Sequence, residues 1–152
     1  MKYSFYTLVC ILFCTLISTS AIGQSNNDEA AVKAAIMDYV EGLYDADSTR
    51  IENSVHPTLR KIGYWYHKPS ASYRDNLPMT YEQLVSLAAR WNVDGTSANE
   101  DSPKDIVIFE VKDKTASAKL TAAWGVDYFH LGKIDGKWYI MNVIWQSLPE
   151  GN

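Results

Sequence analysis

The sequence predicts an α+β fold: a cone-shaped roll in which three helices from the N-terminal half pack on a strongly curved antiparallel sheet. Apolar residues at helical spacing are confined to the first two thirds of the chain, whereas the last third alternates β-branched and aromatic residues with polar ones. Helices that precede a run of strands, rather than alternating with strands throughout, favour a helical layer on one face of an antiparallel sheet.

Residues 1–23 have the features of an export signal. Lys2 gives a positive start, 5–17 is an apolar run, and Ala21 and Gly23 are small residues suited to cleavage. The apolar run is shorter than the roughly 20 residues that a bilayer span needs. We therefore expect a periplasmic or secreted protein without a stable membrane anchor, whose single domain is formed by residues 24–152.

Composition restricts the partners and the chemistry of that domain. The formal net charge of −4 makes nucleic acid a poor partner. Both cysteines lie in 1–23, so neither a disulfide nor a thiolate is expected in the domain. The sequence has no glycine-rich phosphate loop and no dinucleotide motif, and His56, His67 and His130 lack a short metal-binding spacing. We expect no cofactor and no metal.

Local signals predict three helices. The first spans 28–44 because its apolar residues form one stripe: Val32, Ile36, Tyr39, Val40 and Leu43. Asp47 caps a short second helix that stops at His56-Pro57, since the residue before a proline avoids the α region. Thr80-Tyr-Glu-Gln83 fits a capping box and begins the third helix. Its apolar face comprises Leu84, Val85, Leu87, Ala88 and Trp91.

Alternation predicts the strands. Residues 59–67 form the first strand, 68–71 a turn and 72–76 a short return strand, and 92–103 is a surface loop that could act as a lid.

The last third is predicted to be a three-strand meander. It begins at 105–111, and a long strand over 115–134 then curls at Gly125, because an interior glycine often marks a bend. Asp135-Gly136 is a two-residue hairpin turn, and 137–146 is the final strand.

The order of these motifs resembles the nuclear-transport-factor-2-like (NTF2-like) superfamily. The resemblance rests on the helix pair ending in His56-Pro57, the capped third helix, Asp127-Tyr-Phe-His-Leu131, and Asp135-Gly-Lys-Trp-Tyr-Ile-Met-Asn-Val-Ile-Trp145. Within it the chain is most similar to secreted bacterial proteins called putative lumazine-binding, relatives of the ketosteroid-isomerase and polyketide-cyclase-like (SnoaL-like) groups. The resemblance implies a homodimer with one deep pocket in each cone. It does not imply one reaction, because members of the superfamily are variously isomerases, cyclases, dehydratases and binders.

The resemblance to ketosteroid isomerases extends to part of their catalytic site. Tyr39 matches the tyrosine that donates a hydrogen bond to the developing enolate oxygen, but Gly63 stands where the proton-abstracting carboxylate is expected. The second acidic group that donates a hydrogen bond to the oxyanion in those enzymes matches Tyr128 or, if the alignment shifts by one residue, Asp127. The resemblance thus implies an oxyanion site that lacks its base.

Histidines are the remaining candidates for a base. His130 shares strand parity with Val126 and Tyr128, so if one of the three lines the cone all of them do. A core or interface histidine is the alternative for His130, and His56 is a helix-end cap or packing group. The candidate catalytic residues are therefore Tyr39, Asp127, Tyr128 and His130.

The abundance of aromatic residues favours a pocket for a small apolar or heteroaromatic ligand. The candidate lining comprises Tyr39, Tyr64, Trp91, Tyr128, His130 and Trp145, although strand parity could place half of them outside. An exported small-molecule-binding protein without catalysis is the preferred function. The alternatives are a proton-transfer enzyme, namely an isomerase, cyclase or dehydratase using the same pocket, and a dimerising partner-binding module.

Overall fold

The computed structural model describes residues 27–149, so the predicted export signal at 1–23 lies outside the described residues. The helices are α1 (27–44), α2 (Ser48–Ser54) and α3 (Tyr81–Ala88). The strands are β1 (Val55–His67), β2 (Ser72–Met79), β3 (Asp105–Val111), β4 (Thr115–Ala122), β5 (Gly125–Ile134) and β6 (Lys137–Gln146). Within 27–149, no helix combines the length and the hydropathy needed to cross a membrane.

The six strands form one curved, open sheet in the order β2-β1-β6-β5-β4-β3. Neighbouring strands are antiparallel except β1 and β6, which are parallel. The three helices pack on this sheet, so the predicted α+β roll is confirmed.

The predicted caps delimit the short helices. The Asp47 side chain accepts a hydrogen bond from the Thr49 N–H at the start of α2, and Val55 already belongs to β1, where it pairs with Ile140. Thr80 and Gln83 form the capping box of α3. Each cap satisfies backbone N–H groups that the first helical turn leaves without a partner.

The prediction of one long curling strand over 115–134 is wrong. Ala122 lies opposite Gly125 in an antiparallel pair, so β4 and β5 are joined by a tight turn and the meander has four strands. Gly125 has φ +134°, and a Cβ there would lie 2.1 Å from the carbonyl oxygen of Gln146. The glycine is needed because the β6 end comes close to it. Residues 123–124 lack the Asn-Gly or Asp-Gly pair that marks most two-residue hairpins, which is why they resembled strand.

Among the described residues, two charged side chains of the sheet are buried. The α1 stripe predicted from sequence is buried in the core, and in β5 the side chains of Asp127, Phe129 and Leu131 are buried with it. In β1 the buried face carries Leu59 and Lys61. Burial of Lys61 and Asp127 within one apolar core defines the candidate site.

Candidate functional site

A cavity of about 80 Å³ lies between α3 and the sheet. Its lining comprises Leu43, Lys61, Met79, Leu84, Leu87, Trp91, Trp124 and Trp145. The walls are therefore three indole rings and aliphatic side chains. Among the residues of this lining that the structure describes, Lys61 is the single charged group.

The strand β1 places Lys61 at this cavity. Its neighbours across the sheet are Met79 on β2 and Val143 on β6, and its side chain is only 6 % exposed. Two residues further on, Gly63 pairs with Trp145, and a Cβ at Gly63 would lie 2.2 Å from the indole nitrogen. Because Gly63 has no side chain, the Trp145 ring can lie against β1, with its centre 5.4 Å from the Lys61 Nζ. That distance suits a cation–π contact.

Lys61 belongs to a buried polar cluster with Tyr39 and Asp127. The Lys61 Nζ donates a hydrogen bond to the Tyr39 Oη at 2.6 Å and lies 3.8 Å from the Asp127 Oδ2. The indole N–H of Trp124 donates to the Asp127 Oδ1 at 3.1 Å. Among the described residues, the Asp127 Oδ2 has no hydrogen-bond partner although it is fully buried. Of the three members, Lys61 alone lines the cavity.

Burial shifts the pKa of every member of this buried cluster. Desolvation lowers the pKa of Lys61, and the negative charge of Asp127 opposes that shift. Desolvation raises the pKa of Asp127 against the influence of Lys61 and of the Trp124 N–H. The pKa of Tyr39 lies well above its ordinary value because of burial and then because of the Asp127 charge. The phenol is therefore neutral, and both charged groups are pushed towards their neutral forms.

Aromatic contacts hold the cluster in place. The Tyr39 ring makes edge-to-face contacts with Phe129 at 5.2 Å and with Trp124 at 6.2 Å, and Trp124 meets Trp91 at 5.3 Å. The Tyr44 hydroxyl donates to the Pro103 carbonyl and accepts from the N–H of residue 123. Tyr44 thereby ties the β4–β5 turn to the end of the loop over 92–103, which fixes the Trp124 wall.

The structure brings together four of the residues predicted for the site. Trp91 and Trp145 line the cavity, and Tyr39 and Asp127 lie behind Lys61 in the buried cluster.

The other three predicted residues do not reach the cavity. Tyr64 is 38 % exposed and Tyr128 is 48 % exposed, and His130 is exposed and lies within 3.2 Å of the Asn142 amide oxygen. The physical reason is strand parity: because Asp127 and its alternate neighbours on β5 point into the core, Tyr128 and His130 point away from it. This placement removes His130 as a base for chemistry in the cavity.

The remaining histidines make local contacts. The His56 Nδ1 lies 2.8 Å from the Thr58 hydroxyl, and the His67 Nδ1 lies 2.8 Å from the Ser70 hydroxyl. Over the part of the chain that the structure describes, no three histidine, cysteine or acidic side chains are grouped so as to hold a metal ion.

Lys61 is the candidate site residue that sequence reasoning missed. Tyr64 was placed in the candidate lining, but the structure buries the opposite face of β1, which carries Leu59, Lys61 and Gly63. The available signal was that Leu59, Lys61 and Gly63 are alternate residues and therefore lie on the same face of the strand. A strand face with an aliphatic residue and a glycine on either side of a lysine suits a core in which the lysine has a partner.

Residues 27–146 match the model of the family described as Putative lumazine-binding. The chain belongs to this family. No curated protein matches this member of the putative lumazine-binding family.

Solved structures with the NTF2-like fold are similar to this family member. An NTF-2-like protein of unknown function from Silicibacter pomeroyi aligns with a TM-score of 0.60 at 15 % identity, over 81 % of this chain and 98 % of that one. An NTF2-like protein of unknown function from Shewanella baltica aligns with a TM-score of 0.59 at 18 % identity, over 82 % of this chain and 96 % of that one. An NTF2-like protein with a cystatin-like fold from Novosphingobium aromaticivorans aligns with a TM-score of 0.59 at 12 % identity, over 90 % of this chain and 92 % of that one. Identities this low establish the shared fold alone.

Proposed function

We propose that the protein binds a small, largely apolar or heteroaromatic molecule that carries one hydrogen-bond acceptor, with Lys61 as the polar anchor. The observation that carries the proposal is a single buried ammonium in an otherwise apolar, tryptophan-walled cavity. The name of the family, which refers to a heteroaromatic ligand, supports the same class of molecule. Indole walls favour flat rings because stacking adds to the free energy of area burial.

The hydrogen-bonding capacity of Lys61 supports this role. An ammonium carries three N–H donors, and Lys61 uses one of them on Tyr39. The Asp127 oxygen at 3.8 Å attracts the charge but is beyond hydrogen-bonding distance. A ligand acceptor in the cavity would therefore satisfy a buried donor and would gain the strength of a charge-assisted hydrogen bond.

The cavity volume sets a size requirement for the ligand. Ligand pockets usually measure roughly 300 to 1,000 Å³, several times the about 80 Å³ found in this protein. A molecule larger than a few heavy atoms must displace part of the wall. The half-buried Met79, Leu87 and Trp91 form the side of the wall that can move, because they lie on β2, on the short helix α3 and in the turn after it. We expect binding to move α3 outwards.

Direct binding measurements test the anchor role. Lumazine and smaller heteroaromatic carbonyl compounds are titrated calorimetrically into protein produced from the full chain. Replacing Lys61 with Met should weaken binding at least about tenfold, equivalent to about 1.4 kcal/mol. The double variant Lys61→Met/Asp127→Asn is compared with the parent in the same way, because it removes the lysine without leaving the Asp127 carboxylate buried and unpaired. Lys119→Met removes a lysine from the outer sheet face and should leave affinity unchanged. Equal affinity in the Lys61 variants would contradict the proposal.

A proton-transfer enzyme is the weaker alternative at this site. Tyr39 could polarise a carbonyl and Asp127 could move a proton, but both are fully buried behind Lys61. With His130 on the other face of the sheet, the described residues of the cavity lining include no carboxylate or imidazole that could act as a base. Binding therefore fits the geometry better than carbon-acid proton transfer does.

We also propose that the protein is exported and forms a homodimer through the outer face of its sheet. Strand register aligns an apolar row across this face, in which Val107, Tyr128, Ile144 and Ile62 follow one another with Lys119 between the first two. Phe109 stacks on Tyr128 at 6.5 Å and is 56 % exposed. A second copy would cover this row, and monomers rarely expose contiguous apolar patches above a few hundred Å².

The dimer proposal has a matched pair of variants. Tyr128→Lys places a charge in the middle of the row, whereas Val93→Lys changes a more exposed apolar residue in the loop over 92–103, away from the row. Light scattering should give a dimer mass for the parent and for Val93→Lys, and a monomer mass for Tyr128→Lys. A monomeric parent would overturn the proposal. For export, the N-terminal residue of protein recovered from the periplasm should be at or near Gln24, and an intact residue 1 would contradict cleavage.

A further inference from the structure

We propose that Lys61 is a covalent attachment site, whose Nζ attacks the carbonyl carbon of a small aldehyde or ketone and holds it as a Schiff base. This inference deepens the proposed function and rests on it, because it assigns covalent chemistry to the same anchor in the same cavity. The ligand class becomes a small carbonyl compound with an apolar tail.

The surroundings of Lys61 differ from those of other lysines with known partners. Lys104 donates to Glu41 at 3.0 Å, Lys112 to Glu110 at 2.6 Å and Lys133 to Asp28 at 2.5 Å, so each has a carboxylate as its hydrogen-bond acceptor. Lys61 donates to a neutral phenol and has its carboxylate 3.8 Å away. An ammonium held by a direct carboxylate hydrogen bond keeps its proton. The geometry around Lys61 holds that proton less firmly.

Access and desolvation both favour the amine as a nucleophile. The Nζ lines the cavity, and the centres of the Tyr39 and Trp145 rings lie 5.3 Å and 5.4 Å from it. Removal from water disfavours the ammonium, in agreement with the lowered pKa of Lys61. A desolvated lysine in an apolar pocket is one of the recognised ways in which proteins activate an amine towards carbonyl compounds.

The buried cluster supplies the proton movements that the reaction needs. The Lys61 ammonium gives one proton to the Tyr39 hydroxyl, which accepts from it at 2.6 Å, as that hydroxyl passes its own proton to the Asp127 carboxylate. The neutral nitrogen then forms a bond to the carbonyl carbon while the C=O π pair moves to oxygen. That oxygen takes a proton originating on nitrogen, which gives a carbinolamine. The C–O bond breaks as the hydroxyl leaves with the proton from Asp127 as water. Ammonium and carbonyl thus become a protonated imine and water, and the carboxylate regains its charge.

Tyr39 is a positioning residue in this sequence. Its Oη accepts from the Nζ at 2.6 Å, and its own O–H interacts with the Asp127 carboxylate, which contributes to the raised pKa of Tyr39. The raised pKa of Tyr39 keeps that O–H in place. The imine formed at Lys61 carries the same positive charge as the ammonium it replaces, so the attraction to Asp127 is retained through the reaction.

Reductive trapping tests the proposal on the parent protein. Protein from the full chain is incubated with propanal and sodium cyanoborohydride at pH 7, and propylation of each lysine is followed by peptide mass spectrometry. Because desolvation lowers the pKa of Lys61, more of its amine is neutral at pH 7 than for a lysine with the ordinary pKa. Lys61 should therefore be propylated severalfold faster than exposed lysines such as Lys137. The rate at Lys61 should also level off below the ordinary lysine pKa of about 10.4. Propylation of Lys61 no faster than that of Lys137 would overturn the proposal.

Variants separate this inference from the proposed function. Tyr39→Phe should slow propylation of Lys61 and leave Lys137 unchanged, whereas Lys61→Arg should remove the fast reaction without removing the charge. If Lys61 is not propylated but Lys61→Met still abolishes binding of lumazine, reversible anchoring stands and the covalent step fails. If propylation is fast and Lys61→Met leaves the affinity for lumazine unchanged, the covalent chemistry stands without the proposed ligand class.

Discussion

Removing the charge of Lys61 should destabilise the protein strongly, and the loss should depend on pH. In Lys61→Met, Asp127 stays fully buried and loses the cation 3.8 Å away, while its Oδ2 already lacks a hydrogen-bond partner among the described residues. Two unit charges at that distance attract by about 4 kcal/mol at an effective dielectric constant of about 20. Breaking a buried pair by removing one partner typically costs about 3 to 5 kcal/mol. We expect a loss in that range at pH 7.

The sign of the pH dependence follows from Asp127. Its pKa in the folded protein is already raised by burial, and the substitution removes Lys61, the first of the influences that oppose this rise. Between the unfolded and the raised folded pKa, the folded state binds more protons than the unfolded state, so stability falls as pH rises through that window. The deficit of Lys61→Met should therefore be greatest near pH 7 and should shrink as the solution is acidified towards the ordinary carboxyl pKa.

Urea unfolding of the parent and four variants measures this effect. The parent, Lys61→Met, Asp127→Asn and the double variant are compared at pH 7 and pH 5, with Lys104→Met as a control because its ion pair with Glu41 is partly exposed. The control should lose no more than about 1 kcal/mol. The double variant should recover most of the loss, since no unpaired charge remains. A pH-independent loss below about 1 kcal/mol in Lys61→Met would refute the reasoning.

Further predictions concern the wall and the third helix. Gly63→Ala should displace the Trp145 indole, giving a changed tryptophan emission spectrum and weakened lumazine binding, whereas Gly132→Ala meets only a flexible side chain and should change neither. An unchanged spectrum in Gly63→Ala would contradict the contact. Thr80→Ala removes the capping box of α3 and should lower the free energy of unfolding by about 1 kcal/mol, measured by urea denaturation, and no change would show that the cap is dispensable.

Helices and turns governed by local chemistry could be predicted from the sequence. Thr80 and Gln83 are three positions apart, and their reciprocal hydrogen bonds need nothing from the rest of the chain. The Asp135-Gly136 turn is similar, since both residues adopt the positive φ that such a hairpin requires. The β4–β5 turn could not be predicted, because Gly125 is set by the approach of Gln146 from another strand.

The candidate site was only partly predictable because strand faces are decided by partners. Tyr39 could be placed from the α1 stripe alone, which puts it in the core. The inward face of β1 depends on Trp145 of β6 filling the space above Gly63, a contact that no local pattern encodes. That contact turns Lys61 into the core, where Asp127 balances its charge. A buried lysine is predictable only once its distant acidic partner is known.

The central claim is that Lys61 is a desolvated amine at the wall of the cavity, and its protonation equilibrium tests this most directly. Protein labelled at lysine Cε is titrated by NMR, with the Lys61 resonance assigned through Lys61→Arg. The account predicts that Lys61 titrates below the ordinary lysine pKa of about 10.4. A Lys61 resonance that titrates at or above that ordinary value would contradict the account.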